Sequence, residues 1–266
     1  MKKIIRIAFI FATVAFVACN KAAEESAATE ETTTETAETV AEQVPQANSL
    51  TEEEKNEGWM LLFDGTSAEG WRGFGKEEFP EAWKITEAGE LYFAASEITE
   101  ETTRGDIIYD KEFANFHFKL EWKIAEAGNS GIFYLGKEGK DYIWMTAPEM
   151  QVLDNVNHPD AAMGKDGNRK AGSLYDLYPA NPQNTNPPGE WNSAEVIHNN
   201  GKVQHIQNGE VVVEYEIGTD KWKQDVAASK FPGLNEDWVN IASSGYFGLQ
   251  DHGDNVWFRN LKVKEM

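Results

Sequence analysis

An all-β sandwich is the fold class this sequence predicts, and three observations predict it. Apolar and polar residues alternate with period two in short runs. Residues 115–124 show this best, with Phe116, Phe118, Leu120, Trp122 and Ile124 on one face and His117, Lys119, Glu121 and Lys123 on the other. Gly, Asn, Asp and Pro interrupt the runs where a chain must turn. Asn208-Gly209 separates two such runs and is a strong short-range hairpin signal.

The chain opens with Lys2, Lys3 and Arg6, an apolar stretch over residues 4–17, and a small Ala18 before Cys19. That is the pattern of an export signal, too short and one-sided for a permanent membrane span. Cys19 is the one cysteine, and its place after Phe16-Val17-Ala18 resembles the cleavage box of bacterial lipoproteins. The resemblance implies loss of residues 1–18, lipidation of Cys19, and an exported protein held to the cell envelope through that lipid. The alternative is an ordinary signal peptide with an incidental cysteine. With a single thiol no disulfide forms within the chain, so the fold holds by its core alone.

Residues 20–57 are Ala, Glu and Thr with almost no large apolar side chain, and they carry eleven glutamates against Lys21 and Lys55. Such a segment cannot bury enough surface to offset the entropy of ordering, so residues 19–57 are expected to form an acidic disordered tether. All nine tryptophans lie between Trp59 and Trp257, which assigns residues 58–266 to one folded domain. Strands are expected at 59–63, 90–94, 106–109, 115–124, 131–135, 149–153, 193–198, 202–207, 210–217, 245–250 and 255–264. One short helix is expected at about 221–230, capping an open end of the sandwich. Residues 155–190 are rich in Asn, Pro and Gly, and a loop that long inside a compact domain is usually functional. Leu174, Tyr175, Leu177 and Tyr178 give it anchoring bulk, so an ordered rim around a binding site is expected. The net charge of −21 repels phosphate backbones, and no basic stripe with interleaved aromatics occurs, which excludes nucleic acid as a partner.

Polar phrases at the ends of the alternating runs supply the candidate site. Glu149 and Gln151 sit two apart on a strand and project from one face, while Asp154 opens the long loop and could swing to join them. Three oxygen-bearing side chains so placed could position sugar hydroxyls, act as acid and base, or hold a divalent cation, with Glu149 and Gln151 as the metal ligands. The bland alternative is a solvated strand edge. His252 follows a strand end in Gln250-Asp251-His252-Gly253, where an imidazole could reach a ligand. His205 lies mid-strand, either packed in the core or catalytic. Glu121 shares the polar face of its strand with His117, and Arg259 either joins a site with Glu121 or simply anchors it. Trp144 and Trp191 flank loops and could stack on a sugar ring, although most tryptophans of a sandwich are core. No Gly-x-Ser-x-Gly elbow, phosphate-cradling loop, dinucleotide fingerprint or His-Glu-x-x-His pair occurs.

Taken in order, several phrases resemble one family across the whole folded domain. They are Leu62-Phe63-Asp64-Gly65 with Gly70-Trp71, Gly128-Asn129-Ser130-Gly131-Ile132, Glu149-Met150-Gln151-Val152-Leu153-Asp154, Gly172-Ser173-Leu174-Tyr175, Gly189-Glu190-Trp191-Asn192, His205 with Asn208-Gly209, and Gly248-Leu249-Gln250-Asp251-His252-Gly253 through Trp257-Phe258-Arg259-Asn260. The set is similar to the 3-keto-disaccharide hydrolase family. Ile206 departs from it, standing where an aromatic is common. The resemblance implies a concanavalin A-like lectin/glucanase jelly roll and cleavage of glycosides already oxidised at C3. Such chemistry needs a base at C2, a donor or cation at the ketone oxygen and an acid for the leaving group. Glu149 or His205 would be the base, Gln151, Asn192 or a divalent cation would steady the enolate, and His252 would serve the leaving group. Asn129, Asp154, Tyr175, Trp191, Gln250, Glu121 and Arg259 would line the substrate site. Two other classes stay open. A conventional two-carboxylate glycosidase would use Glu149 and Asp154, and a non-catalytic sugar-binding module would keep the aromatics and amides without turnover.

Overall fold

The computed structural model describes residues 46–266, so the export signal, Cys19 and most of the expected tether lie outside the described residues. Among these residues thirteen strands follow a short helix α1 (Glu52–Asn56): β1 (Trp59–Leu61), β2 (Trp71–Gly73), β3 (Trp83–Ile85), β4 (Leu91–Phe93), β5 (Ile107–Tyr109), β6 (Phe116–Ile124), β7 (Asn129–Gly136), β8 (Glu149–Leu153), β9 (Asn192–Asn199), β10 (Lys202–Gln207), β11 (Glu210–Glu216), β12 (Tyr246–Leu249) and β13 (Val256–Glu265). A second helix, α2 (Asp220–Ala227), lies between β11 and β12.

The strands form two antiparallel sheets, one eight-stranded in the order β11-β10-β9-β6-β13-β4-β3 with β1 also on β13, the other five-stranded in the order β2-β5-β12-β7-β8. This is the expected jelly-roll sandwich. Its core is the shared inner face, where Phe116, Phe118, Trp122, Ile132, Tyr134, Met150, Val152, Phe247 and Phe258 are all buried. The alternation at 115–124 is realised as buried and half-buried positions in strict turn along β6. The Asn208-Gly209 turn joins β10 to β11, with both residues at positive φ (49° and 80°) as a hairpin of this type requires.

The expected tether was to reach residue 57, but residues from Asn48 onward are built into the fold. Asn48 is buried and exchanges hydrogen bonds with Asn260, 2.7 Å and 2.8 Å. Helix α1 is nucleated by a capping box, Thr51 with Glu54. Burial raises the Glu54 carboxyl, but hydrogen bonds from Lys119 and Lys262 outweigh it and hold Glu54 down to about 2. Composition alone misses this because the segment is fixed by specific polar contacts rather than apolar burial. The expected helix at 221–230 stops at Ala227, and residues Phe231–Gly233 form a separate 3-10 turn. Thr219 caps α2 by accepting from Trp222 N at 3.1 Å. Trp222, Val226, Phe231 and Trp238 then pack with Leu174, Ala180, Val212 and Val213 into a second apolar cluster. That cluster fastens the α2 segment and the long loop to each other.

Candidate active site

The outer face of the five-stranded sheet carries the candidate site. Alternation along β7 and β8 sends Ile132, Tyr134, Met150 and Val152 into the core, so Asn129, Gly131, Phe133, Glu149 and Gln151 face outward. In that face lies a pocket of about 310 Å³, lined by Asn129, Trp144, Ala147, Glu149, Gln151, Tyr175, Lys230, Phe231, Leu234, Gln250 and His252. Its size falls in the range of small-molecule sites, roughly 300–1,000 Å³. Sheet residues form the floor, and the long loop and the segment after α2 form the walls.

The local chain explains why the floor is polar yet ordered. Gly131 lies opposite Gln151 on β8 and leaves room for its neighbour's carboxyl, since a Cβ there would stand 2.2 Å from Glu149 Oε1. Gln151 presents its amide nitrogen to Glu149 Oε1 (2.8 Å) and to Ser130 O (3.3 Å), and its oxygen to Asn129 at 3.2 Å, the orientation in which both ends find partners. Ser130 Oγ donates to Gln250 O at 2.9 Å, tying the β7 floor to the strand end that carries His252. Gln250 Oε1 is buried with no partner of its own. An acceptor held that way in a pocket wall suits a hydroxyl donor.

The free edge of β8 is covered by the loop: Gly172 N donates to Gln151 O (2.8 Å), Gln151 N to Ser173 O (3.1 Å) and Tyr175 N to Glu149 O (3.0 Å). Tyr175 is thereby set over the pocket, where Lys230 Nζ stands 4.2 Å above its ring and its hydroxyl donates to Asp160 Oδ2 at 3.1 Å. The second wall comes from the turn bearing Lys230 and Phe231, braced by Asn235 Nδ2 on Met145 O (2.8 Å) and Trp238 Nε1 on Trp144 O (3.1 Å).

Among the residues lining the pocket one carboxyl stands apart. Glu149 is 7% exposed, and its burial pushes the carboxyl up to about 8; Asp106 and Asp160 add to the rise, while the Lys230 ammonium opposes it. Burial in turn lowers Lys230, with Arg169 working the same way and Asp176, Glu149 and Asp160 against it. Tyr175 is raised, first by burial and then by Glu149 and Asp160. A carboxyl poised near neutrality beside a cation, within a wall of amides, is equipped to move a proton.

Glu149, Gln151, Asn129, Tyr175, Gln250 and His252 are thus brought to one pocket, as is Trp144. Six other candidates are placed elsewhere. His205 is wholly buried behind the sheet: its Nδ1–H donates to Gly172 O (3.0 Å) and its Nε2 accepts from Tyr134 OH (2.6 Å), which Tyr215 OH supports at 2.6 Å. Burial pushes this imidazole down to about 4, so it is a neutral core residue and no base. Asp154 does not swing to its neighbours. Its carboxylate accepts from Ala127 N (2.8 Å), Val156 N (3.0 Å), and Asn157 Nδ2 (2.8 Å), shaping the start of the loop. Burial raises Asp154, yet those hydrogen bonds outweigh it and hold the carboxyl below its usual range. Asn192 is buried, and its Oδ1 accepts from Asn186 N (2.7 Å) and Asn208 Nδ2 (2.9 Å), locking loop to hairpin. Glu121, Arg259 and Trp191 lie on the outward face of the other sheet, where Arg259 Nε donates to Glu121 at 2.6 Å and its guanidinium sits 4.0 Å from the Trp191 ring centroid. Of these residues, Arg259 does the anchoring that was weighed against a site role.

Sequence reasoning missed Lys230, Phe231, Leu234 and Ala147. They reach the pocket from turns without periodicity, and no local pattern marked them.

Fold and site together define a β-sandwich enzyme with a buried carboxyl in a polar pocket. Residues 58–264 match the family described as the 3-keto-alpha-glucoside-1,2-lyase-like domain, and the chain belongs to that family. A 3-keto-disaccharide hydrolase from Bacteroides thetaiotaomicron is 46% identical over 228 residues, covering 78% of each chain. Two crystal structures from Parabacteroides distasonis ATCC 8503 that carry the assignment glycosyl hydrolase also match. One has 34% identity and a TM-score of 0.73, covering 83% of this chain and 99% of that one. The other has 25% identity and a TM-score of 0.62, covering 78% and 99%.

Proposed function

We propose that this pocket cleaves glycosides whose sugar carries a ketone at C3, by elimination across C1 and C2. The observation that carries the reading is the buried carboxyl of Glu149, raised toward neutrality in a pocket of amides, in a member of this family. A C3 ketone acidifies the C2 proton, so the reaction needs a base of near-neutral pKa rather than a nucleophile. Glu149 as carboxylate takes the C2 proton, and the C2–H electron pair moves onto the C3 oxygen as an enolate. Lys230 and the amide donors of the pocket stabilise that charge. Return of the pair forms the C1–C2 double bond and breaks the C1–O bond. The departing oxygen takes a proton on the His252 side of the pocket. Addition of water across the double bond then completes net hydrolysis.

The conventional glycosidase loses its second carboxylate, because the Asp154 oxygens are engaged by the backbone of its own loop. Incubation of purified protein with 3-keto-glucosides and with their unoxidised parents tests the proposal. Product is expected from the ketone alone; release of sugar from the unoxidised parent would overturn it, and binding without product would leave a sugar-binding module. Cellular placement belongs to the same reading. The run of residues 1–19 supports export and anchoring to the envelope through lipid on Cys19. Cys19→Ala is expected to shift the protein from the membrane to the soluble fraction, and an unchanged distribution would refute the anchor.

A further inference from the structure

At the rim of the pocket His158, His252 and Asp254 each offer one ligand atom, and the three atoms lie within 4.8 Å of one another. We propose that these residues hold one divalent transition-metal ion of the zinc type, with its remaining coordination positions open to the pocket. The cation weighed at Glu149 and Gln151 is thereby moved to the mouth of the site. Two imidazoles and a carboxylate are the donor set of open catalytic sites for such ions, whereas calcium and magnesium prefer oxygen alone.

A second observation points the same way. The Asn129 side-chain amide stands 3.3 Å from His252 Nε2, so Nδ1 is the nitrogen turned toward Asp254, whose Oδ2 lies 3.7 Å away. That separation is too long for a direct hydrogen bond, and an interposed cation would join the two groups. The outer hydrogen bond to Asn129 is the support that metal-bound imidazoles usually have. Asp254 is steadied as well, since its Oδ2 accepts from Asn129 N at 3.1 Å.

Loading requires closure. Ligands about 3.3 Å apart surround a tetrahedral ion with bonds of about 2.0–2.1 Å, so the three groups must draw together. His158 Nδ1 now accepts from Asp160 N at 3.1 Å, and ion binding asks that ring to exchange this cap for the metal. Both histidines stand outside the strands, where such adjustment costs little.

This inference rests on the proposed reaction for its purpose: an ion there would polarise a ketone or hydroxyl oxygen of the sugar, and its bound water would deliver the leaving group's proton in place of His252. Its test does not rest on that reaction. Full-length protein stripped with chelator is titrated with zinc, and with manganese for comparison, by calorimetry and by competition with a chromogenic chelator. One equivalent of zinc is expected. His252→Ala and Asp254→Asn should each weaken binding at least tenfold, while Glu149→Gln should bind zinc as the unaltered protein does and yet fail to turn over 3-keto-glucosides. Absence of stoichiometric binding, or equal binding by a His158→Ala/His252→Ala double variant that retains its thermal transition, would overturn the site. Stoichiometric, variant-sensitive binding in a protein inert toward 3-keto-glucosides would uphold the site and refute the reaction.

Discussion

At the residue scale the site depends on one carboxyl and the glycine that makes space for it. As Glu149 must be ionised to accept a proton, kcat/KM on 3-keto-glucosides is expected to rise with pH and level off near the raised value of about 8. Glu149→Gln should remove that limb and reduce turnover by roughly 10²–10⁴, the range of a positioned general base. A profile unaltered by the substitution would exclude Glu149 as the base. Gly131→Ala places a methyl carbon 2.2 Å from the present position of Oε1, so the carboxyl must leave its seat. Displacement of a catalytic group by about 1 Å can cost about 10²-fold. Steady-state kinetics should show such a loss in kcat with the thermal transition retained.

At the element scale, two irregular segments form the wall that the strands cannot. The Trp144 turn and the Phe231 turn are coupled through the Trp238 indole, which donates to Trp144 O at 3.1 Å and stacks on Phe231 with centroids 3.8 Å apart. Trp238→Phe keeps the stack and deletes the donor. The expected result is a higher KM with kcat nearly kept, and a drop in kcat/KM of up to about tenfold, the size of a hydrogen bond of roughly 0.5–1.5 kcal/mol. Loss concentrated in kcat would mean that the turn does more than hold substrate.

This scale also shows what was legible beforehand. The long strands were, because nine alternating residues in β6 leave no other reading. The three-residue strands β2 and β3 were not, since both lie in a stretch where glycines, a proline and charged residues break any alternation. Within the site, Glu149, Gln151 and His252 could be located because they end or occupy recognisable strands. Asp154, Asn192 and His205 had the same polar signature for a different reason: each satisfies buried backbone or core partners, and polarity along a sequence does not tell a ligand-facing group from a loop-holding one. Lys230 and Phe231 are neighbours of Glu149 only through the second apolar cluster, a contact across more than seventy positions that no local pattern encodes.

For the whole molecule, buried titratable groups set opposite pH limits, His205 on the acid side and Glu149, with Asp106 raised by burial to about 7, on the alkaline side. His205 is pushed down to about 4 from an ordinary 6.5, so its contribution to stability is complete above 6.5 and is lost as pH falls toward 4. Glu149 is raised to about 8 from 4.5, so its contribution is complete below 4.5 and is lost as pH rises through 8. Thermal melts should therefore peak between these limits. Glu149→Gln should melt several degrees above the unaltered protein at pH 9, at about 2–4 °C per kcal/mol for a domain of this size, and show little gain at pH 5. An equal shift at both pH values would indicate altered packing rather than a relieved charge.

The strip of loop laid along β8 joins two hazards that are usually separate. An uncovered outer strand invites pairing with another chain, and here the covering strip is the same one that holds Tyr175 over the Glu149 carboxyl. Peeling it back dismantles the pocket and bares a template for self-association in a single event, so in this protein inactivation by local opening and the onset of clumping should share one threshold.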